Sequence, residues 1–123
     1  MTIRDAIDQA DQLRPNELDL LTKLRWLSRL DGKICTELLA AFAGEPVEIV
    51  PYEDQASKLT TPLVIPFPYD ELYPRYLAMR IDLEHGELER YSNDAALFNR
   101  LWQTTAAHYC RTHSPKGVGQ LKF

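Results

Sequence analysis

Leu20, Leu24, Leu27, Leu30, Ile34, Leu38 and Phe42 recur at intervals of three or four residues. Only an α-helix turns that spacing into one continuous apolar face. A helix with such a face is marginal alone in water, so the rest of the chain has to supply elements that cover it. Asn16 is a candidate cap for its start, and Gly44 and Pro46 stop it. Asp31-Gly32 is its weak point, because glycine costs about 1 kcal/mol relative to alanine inside a helix. The stripe keeps its phase on both sides of the pair, which predicts one continuous helix; the alternative is a break in which Asp31 caps a second half.

Three further helices follow from the same logic. Thr2 followed by Ile3, Ile7, Ala10 and Leu13 gives a capped, short helix closed by Pro15. Asp70 is expected to cap a third helix with its carboxylate, the inner face being Leu72, Tyr76, Met79 and Leu83 and the end lying near Gly86. Pro74 falls in its first turn, where the missing amide costs little. A fourth helix carries Tyr91, Ala95, Phe98, Trp102, Thr105 or Ala106, and Tyr109 on one stripe up to about His113. The short connection at Gly86 makes the last two antiparallel neighbours, with Phe98 and Trp102 expected in the core between them.

Between the second and third helices the pattern changes. Val47-Glu48-Ile49-Val50 alternates, Leu63-Val64-Ile65 is an aliphatic run, and Pro46, Pro51, Pro62, Pro66 and Pro68 punctuate both. Prolines delete ladder donors, so this stretch reads as a small β-hairpin or an extended proline-rich insertion and not a central sheet. After Ser114-Pro115 the helix cannot continue, and 114–123 reads as an extended C-terminal arm. The predicted fold is therefore mostly α: an antiparallel bundle of about four helices in one domain over residues 1–123, with the insertion and the arm. A chain of this length buries roughly two-thirds of its unfolded surface, enough for a core without metal or disulfide staples.

Charge and polarity exclude several classes of function. No apolar run approaches the ~18 residues of a membrane span, and the first eight residues are too polar and acidic for a secretion signal. Cys35 and Cys110 are far apart and read as reduced thiols, as in a cytoplasm. The net charge is −4, against generic attraction to nucleic acid or anionic membrane. Its distribution is uneven: residues 1–60 carry seven Lys/Arg against eleven Asp/Glu, whereas residues 95–123 carry Arg100, Arg111, Lys116 and Lys122 with no acid.

Each candidate for chemistry has a plainer explanation. His108-x-Cys110-x-x-His113 has zinc-ligand residue types, but offsets of two and five on a helix do not converge. The same spacing disfavours a Cys110–His108 nucleophile pair. Asp5, Asp8 and Asp11 share a helix face, Glu84, Glu87 and Glu89 flank Gly86 at a helix junction, and solvated acidic surfaces are commoner than metal clusters. Glycine-rich phosphate loops and hydrolase motifs are missing. A helix-turn-helix reader would need a basic footprint, and Lys23, Arg25, Arg29 and Lys33 are interleaved with acids. The expectation is a non-enzyme without cofactor or metal. Trp26 lies off the main stripe of its helix, so it marks either ordinary packing or an interface. Tyr91, Phe98, Trp102 and Tyr109, at helical spacing, read as structural.

Several segments, taken in order, resemble one family. They are Thr2 to Ile7, then Trp26-Leu27-Ser28-Arg29-Leu30-Asp31-Gly32-Lys33-Ile34, then Pro68-Tyr69-Asp70-Glu71-Leu72-Tyr73. Ile81-Asp82, Gly86-Glu87, Phe98-Asn99 and His113-Ser114-Pro115-Lys116-Gly117 complete the series, which spans nearly the whole chain. Together they are similar to the small head-to-tail connector, or head-completion, proteins of tailed phages and prophages of Gram-positive bacteria. The resemblance implies a structural virion subunit that forms a ring bridging portal and tail. Its partners would be other copies of itself, the portal and tail-completion proteins, with no membrane and no specific nucleic acid. It would be found in the bacterial host cytoplasm during assembly and then in the virion neck. Other adaptor roles from the same gene neighbourhood, a tail-completion factor or a portal-binding chaperone, are the alternatives, ahead of a DNA-binding helical protein. For the ring contacts, Trp26 and the arm residues Lys116, Val118, Leu121, Lys122 and Phe123 are the candidates: glycines for flexibility, lysines for attraction, apolar side chains as anchors.

Overall fold

In the computed structural model, the residues described are 1–39 and 59–112. They are mostly helical and contain four α-helices: α1 Ile3–Leu13, α2 Leu20–Ile34, α3 Leu72–Glu84 and α4 Leu88–Thr112. A π-helical turn, Cys35–Leu39, continues α2, and a 3-10 turn, Tyr69–Glu71, leads into α3. Val47–Val50, Phe42, Gly44 and the 114–123 arm lie outside the described residues, as does His113.

The start of α1 follows the sequence reading. Thr2 Oγ1 accepts from the Asp5 amide at 3.1 Å, and Asp5 Oδ2 accepts from the Thr2 amide at 3.0 Å, so each satisfies an amide of the other. These two hydrogen bonds hold the Asp5 carboxyl below its ordinary pKa. Ile3, Ala6, Ile7 and Ala10 form the buried face of the helix.

Helix α2 begins at Leu20 with Asp19 as its cap, three residues later than an Asn16 cap would require. Asn16 instead pins the linker: its amide nitrogen donates to Asp11 and to the Arg14 carbonyl, and its oxygen accepts from the Leu18 amide. The predicted stripe is otherwise in place, with Leu24, Leu27, Leu30, Ile34 and Leu38 buried. The helix runs through Asp31-Gly32 without a break. Asp31 is fully buried there and accepts from the Tyr73 hydroxyl at 2.6 Å, while the same hydroxyl accepts from the Ile65 amide at 2.8 Å. The suspected break is thus an anchor that ties α2, α3 and the incoming segment 59–65 together. Beyond its own chain neighbours and the backbone of its own helix, nothing lies within 4 Å of the position a β-carbon on Gly32 would take. Gly32→Ala is therefore expected to stabilise the fold by about 0.5–1 kcal/mol, read from denaturant melts.

Leu63-Val64-Ile65 forms no strand ladder among the described residues; it lies against the chain start, with an isolated antiparallel bridge between Thr2 and Pro62 and with the Leu63 amide donating to the Met1 carbonyl at 2.9 Å. Val47–Val50, the other half of the expected hairpin or extended insertion, lies outside the described residues. Two expectations need correction. Asp70 does not cap α3. It sits in the 3-10 turn, one residue before the helix N-cap, and its carboxylate lies 3.3 Å from the Met1 amino nitrogen. The inner face of α3 is also rotated from the expected one: Leu72, Tyr73, Leu77, Ala78 and Ile81 are buried, while Tyr76 and Met79 are half-buried and Leu83 is exposed. The helix packs against α1, α2 and α4 and is therefore covered on more than one side, whereas the expected set follows a single stripe.

Helices α3 and α4 run antiparallel, as three cross-contacts demonstrate. Arg14 joins Asp82 to Asp94, the Tyr76 ring lies 5.3 Å from Phe98, and Tyr69, just before α3, stacks at 4.4 Å on His108. Position numbers fall on one helix as they rise on the other. The reversal is made at Gly86, whose φ of +72° is a left-handed conformation that suits glycine. The Glu87 amide donates to the Asp82 carbonyl and the Gly86 amide to that of Leu83, which closes the end of α3. On α4, Asp94, Thr105 and Tyr109 are buried, while Tyr91, Phe98 and Trp102 are half-buried. Phe98 and Trp102 therefore edge the core instead of filling it.

Candidate functional surfaces

The half-buried aromatics have a definite place. Tyr76 of α3 and Phe98 and Trp102 of α4 form a run of tilted rings, with 6.1 Å between the Phe98 and Trp102 centroids. Helix α2 lies alongside and contributes Arg29, Leu30 and Lys33, with Glu37 from the π-helical turn and Asn99 from α4. Together these eight residues line a cavity of about 230 Å³. Lys33 Nζ stands 5.9 Å from the Trp102 ring centroid and 3.9 Å from Glu37 Oε2. The result is an aromatic floor under a rim that carries two cations and one carboxylate. A shallower depression of about 250 Å³, lined by Gln9, Gln12, Leu13, Glu71, Pro74 and Arg75, lies between α1 and the start of α3.

Trp26 is not available as an exposed anchor. It is 6% exposed, belongs to the core, and carries the Arg80 guanidinium 5.1 Å from its ring centroid. That stacking accompanies an Arg80 Nε that is buried without a hydrogen-bond partner. The other interface candidates, Lys116, Val118, Leu121, Lys122 and Phe123, lie outside the described residues. Among the structural candidates, Tyr109 and Asp70 are buried, Asp70 with the Met1 amino group as its partner.

The chemical candidates disperse. The His108 ring is taken up in stacking on Tyr69 and an edge contact with Tyr109, and Cys110 is exposed on α4. Burial, with help from the nearby Asp31 charge, pushes the Cys35 thiol above its ordinary pKa and away from the reactive thiolate. Asp8 pairs with Arg4 at 3.7 Å and Asp11 with the buried Lys23 at 2.8 Å, so the acids of α1 each have a separate partner. Among the described residues no three His, Cys, Asp or Glu side chains gather as metal ligands would.

One constellation escaped the sequence reading. Arg14, the residue after α1, reaches two carboxylates in the interior: its Nε lies 3.1 Å from both oxygens of Asp82, and its Nη2 lies 3.1 Å from Asp94 Oδ2. Its Nη1 donates to the Leu13 carbonyl at 2.9 Å. The Asp82 and Asp94 side chains are only 2% and 6% exposed, so the cluster holds two acids against one cation in a dry environment. Burial opposes the guanidinium charge, but its hydrogen bond to Asp82 and the charges of both acids outweigh this and push its pKa up. Asp94 moves the other way for a carboxyl. Burial and a hydrogen bond with Asp82 raise its pKa to about 6, despite the opposing pull of Arg14. The joint locks α1, α3 and α4 to one another. Helical periodicity could not have found it, since its three residues sit on three elements.

These surfaces and joints define a mostly helical protein with an aromatic groove and a buried ionic lock. The chain matches no protein-family model, and it has no match among curated proteins or among solved structures.

Proposed function

We propose that this chain is a structural subunit of a phage or prophage head-to-tail connector, a non-catalytic ring protein that joins portal to tail. The observation that carries the reading is the ordered series of segments from Thr2 to Gly117 that resembles the connector proteins. The role of those segments in the fold supports it. Asp31, from one, accepts the hydroxyl of Tyr73, from another, and Asp82, from a third, holds Arg14. The segments that carry the resemblance thus include residues that join the helices to one another. In this reading the helices form the body of the bundle, the proline-rich stretch is an extended insertion, and the arm from Ser114 docks on a neighbour or on the portal. The protein works in the host cytoplasm during assembly and ends in the virion neck, as one of many copies.

The test offers full-length protein and a version ending at Ser114 to assembled portal or tailless heads, at low and high salt. Binding by the full-length chain, weakened by salt and lost on truncation, is the expected result, because the arm carries Lys116 and Lys122. Equal binding by both versions removes the arm from the account. Failure of the full-length chain to bind heads or portal overturns the connector reading itself.

A further inference from the structure

The two halves of α4 are held to the body in different ways. In the second half Thr105 and Tyr109 are buried. In the first, from Leu88 to Phe98, the one buried residue is Asp94; Leu88 is 65% exposed, and Tyr91, Ala95, Leu97 and Phe98 are half-buried. Leu83, just before the Gly86 turn, is exposed as well. A hairpin end with so little buried apolar surface belongs to the elements that open by themselves, below the free energy of global unfolding. What fastens it is the ionic joint. Arg14 Nη2 donates to both oxygens of Asp94, at 3.3 and 3.1 Å, while its Nε donates to both of Asp82.

One guanidinium cannot neutralise two carboxylates. With both ionised the joint carries a net negative charge in a dry interior; with one proton held between them it is neutral, and the protonated carboxyl becomes a donor to its neighbour. The raised pKa of Asp94, about 6, caused first by burial and then by the hydrogen bond with Asp82, agrees with that count. The charges from other elements that act on Asp94 are those of Arg14, after α1, and of Asp82, on α3. On α4 itself Arg90, one turn earlier, is exposed, as are Glu84, His85, Glu87 and Glu89 around the turn. Glu37 of the π-helical turn meets α4 farther along, beside Asn99 and Trp102, and the 3-10 turn that carries Asp70 meets it at His108.

We propose that the Gly86 end of the α3–α4 hairpin is a pH-sensitive latch, closed on the body while Asp82 and Asp94 share one proton and opening locally when that proton leaves to solvent. Opening separates Asp94 from Asp82 and Arg14 and lets the second carboxylate reach water, so the opened form gains ground as pH rises through the neutral range. The rest of the fold keeps its own ties, since the Tyr73–Asp31 hydrogen bond joins α2 to α3 without α4. The latch is independent of the connector reading, because the joint sets it and no partner is needed.

Native-state hydrogen exchange on the full chain tests it, with rates corrected for the intrinsic pH dependence of amide exchange and read at low urea concentrations. Amides from Ser92 to Phe98 are expected to exchange through an opening that urea hardly promotes, whereas those around Thr105 and Tyr109 follow the urea-sensitive global unfolding. The population of the local opening is expected to rise about tenfold between pH 5 and pH 7.5. Asp94→Asn and Asp82→Asn each leave one carboxyl against one guanidinium, and each is expected to abolish the rise. His85→Gln, which removes the imidazole at the turn, is expected to keep it. If amides 92–98 share the free energy and urea dependence of those around Thr105, the hairpin end has no opening of its own and the latch is overturned. A local opening that ignores pH in the wild type, a rise that survives both Asn variants, or a rise lost in His85→Gln would each overturn the part given to the shared proton.

Discussion

Replacing Arg14 with Met is expected to destabilise the protein by about 3–5 kcal/mol at neutral pH, a large part of the stability of a domain this size. The reason is what the substitution leaves behind. Asp82 and Asp94 are almost fully buried, and Arg14 gives both oxygens of Asp82 a donor while also meeting Asp94. Methionine preserves much of the aliphatic packing but removes the cation. Two carboxylates are then left close together with little solvent to screen them, which is far costlier than the loss of a surface ion pair. Urea or thermal melts of Arg14→Met against wild type measure the difference. A midpoint within error of wild type would mean that the carboxylates relax into solvent and that the joint between α1, α3 and α4 is held by apolar contacts alone. Arg14→Met in an Asp94→Asn background gives a second reading, because much of the penalty is expected to vanish once one of the two buried charges is gone.

The elements that could be read from sequence are those in which one residue type repeats at one period. The Leu24–Leu38 stripe, the Thr2 cap with Asp5 three residues on, and the glycine turn at Gly86 each follow from local rules, and the structure has them where those rules put them. The misreadings arise where a side chain's partner is remote in sequence. Asp70 satisfies the local rule for a helix cap, but the chain start brings an amino group to it from 69 positions away. Asp31 beside Gly32 suggests an interruption until Tyr73, 42 residues on, supplies a donor inside the core. Helix α3 is covered on more than one side, and a single apolar stripe then favours Tyr76 and Leu83 over Ala78 and Asp82. The groove has a partial signal, since Phe98 and Trp102 fall on one stripe with Tyr91 and Tyr109. What the stripe could not reveal is that Arg29 and Lys33 of α2 stop short of covering it.

The acid limb of the stability curve is expected to run against the usual direction. Asp94 in the folded protein titrates at about 6, above the ordinary carboxyl value of 3.8. The folded state therefore binds this proton more tightly than the unfolded chain, and protonation favours folding. Stability from this group increases as pH falls from about 6 to about 4 and is lost again as pH rises through that window, by up to about 3 kcal/mol. The Thr2–Asp5 cap works in the opposite sense, but its carboxyl is shifted downward, so its loss falls below pH 4 and the two effects separate. Asp94→Asn resolves the assignment. The amide is uncharged at every pH, its oxygen can still accept from Arg14 Nη2, and its nitrogen can donate to Asp82, so it imitates the protonated acid. The variant is expected to be more stable than wild type at pH 7, to match it near pH 4, and to show a flat profile between. Chemical denaturation at half-unit pH steps measures both curves. Parallel curves for the two proteins would show that the proton binds elsewhere, and a variant less stable than wild type at pH 7 would mean that the Arg14–Asp94 attraction outweighs the cost of burying the second carboxylate.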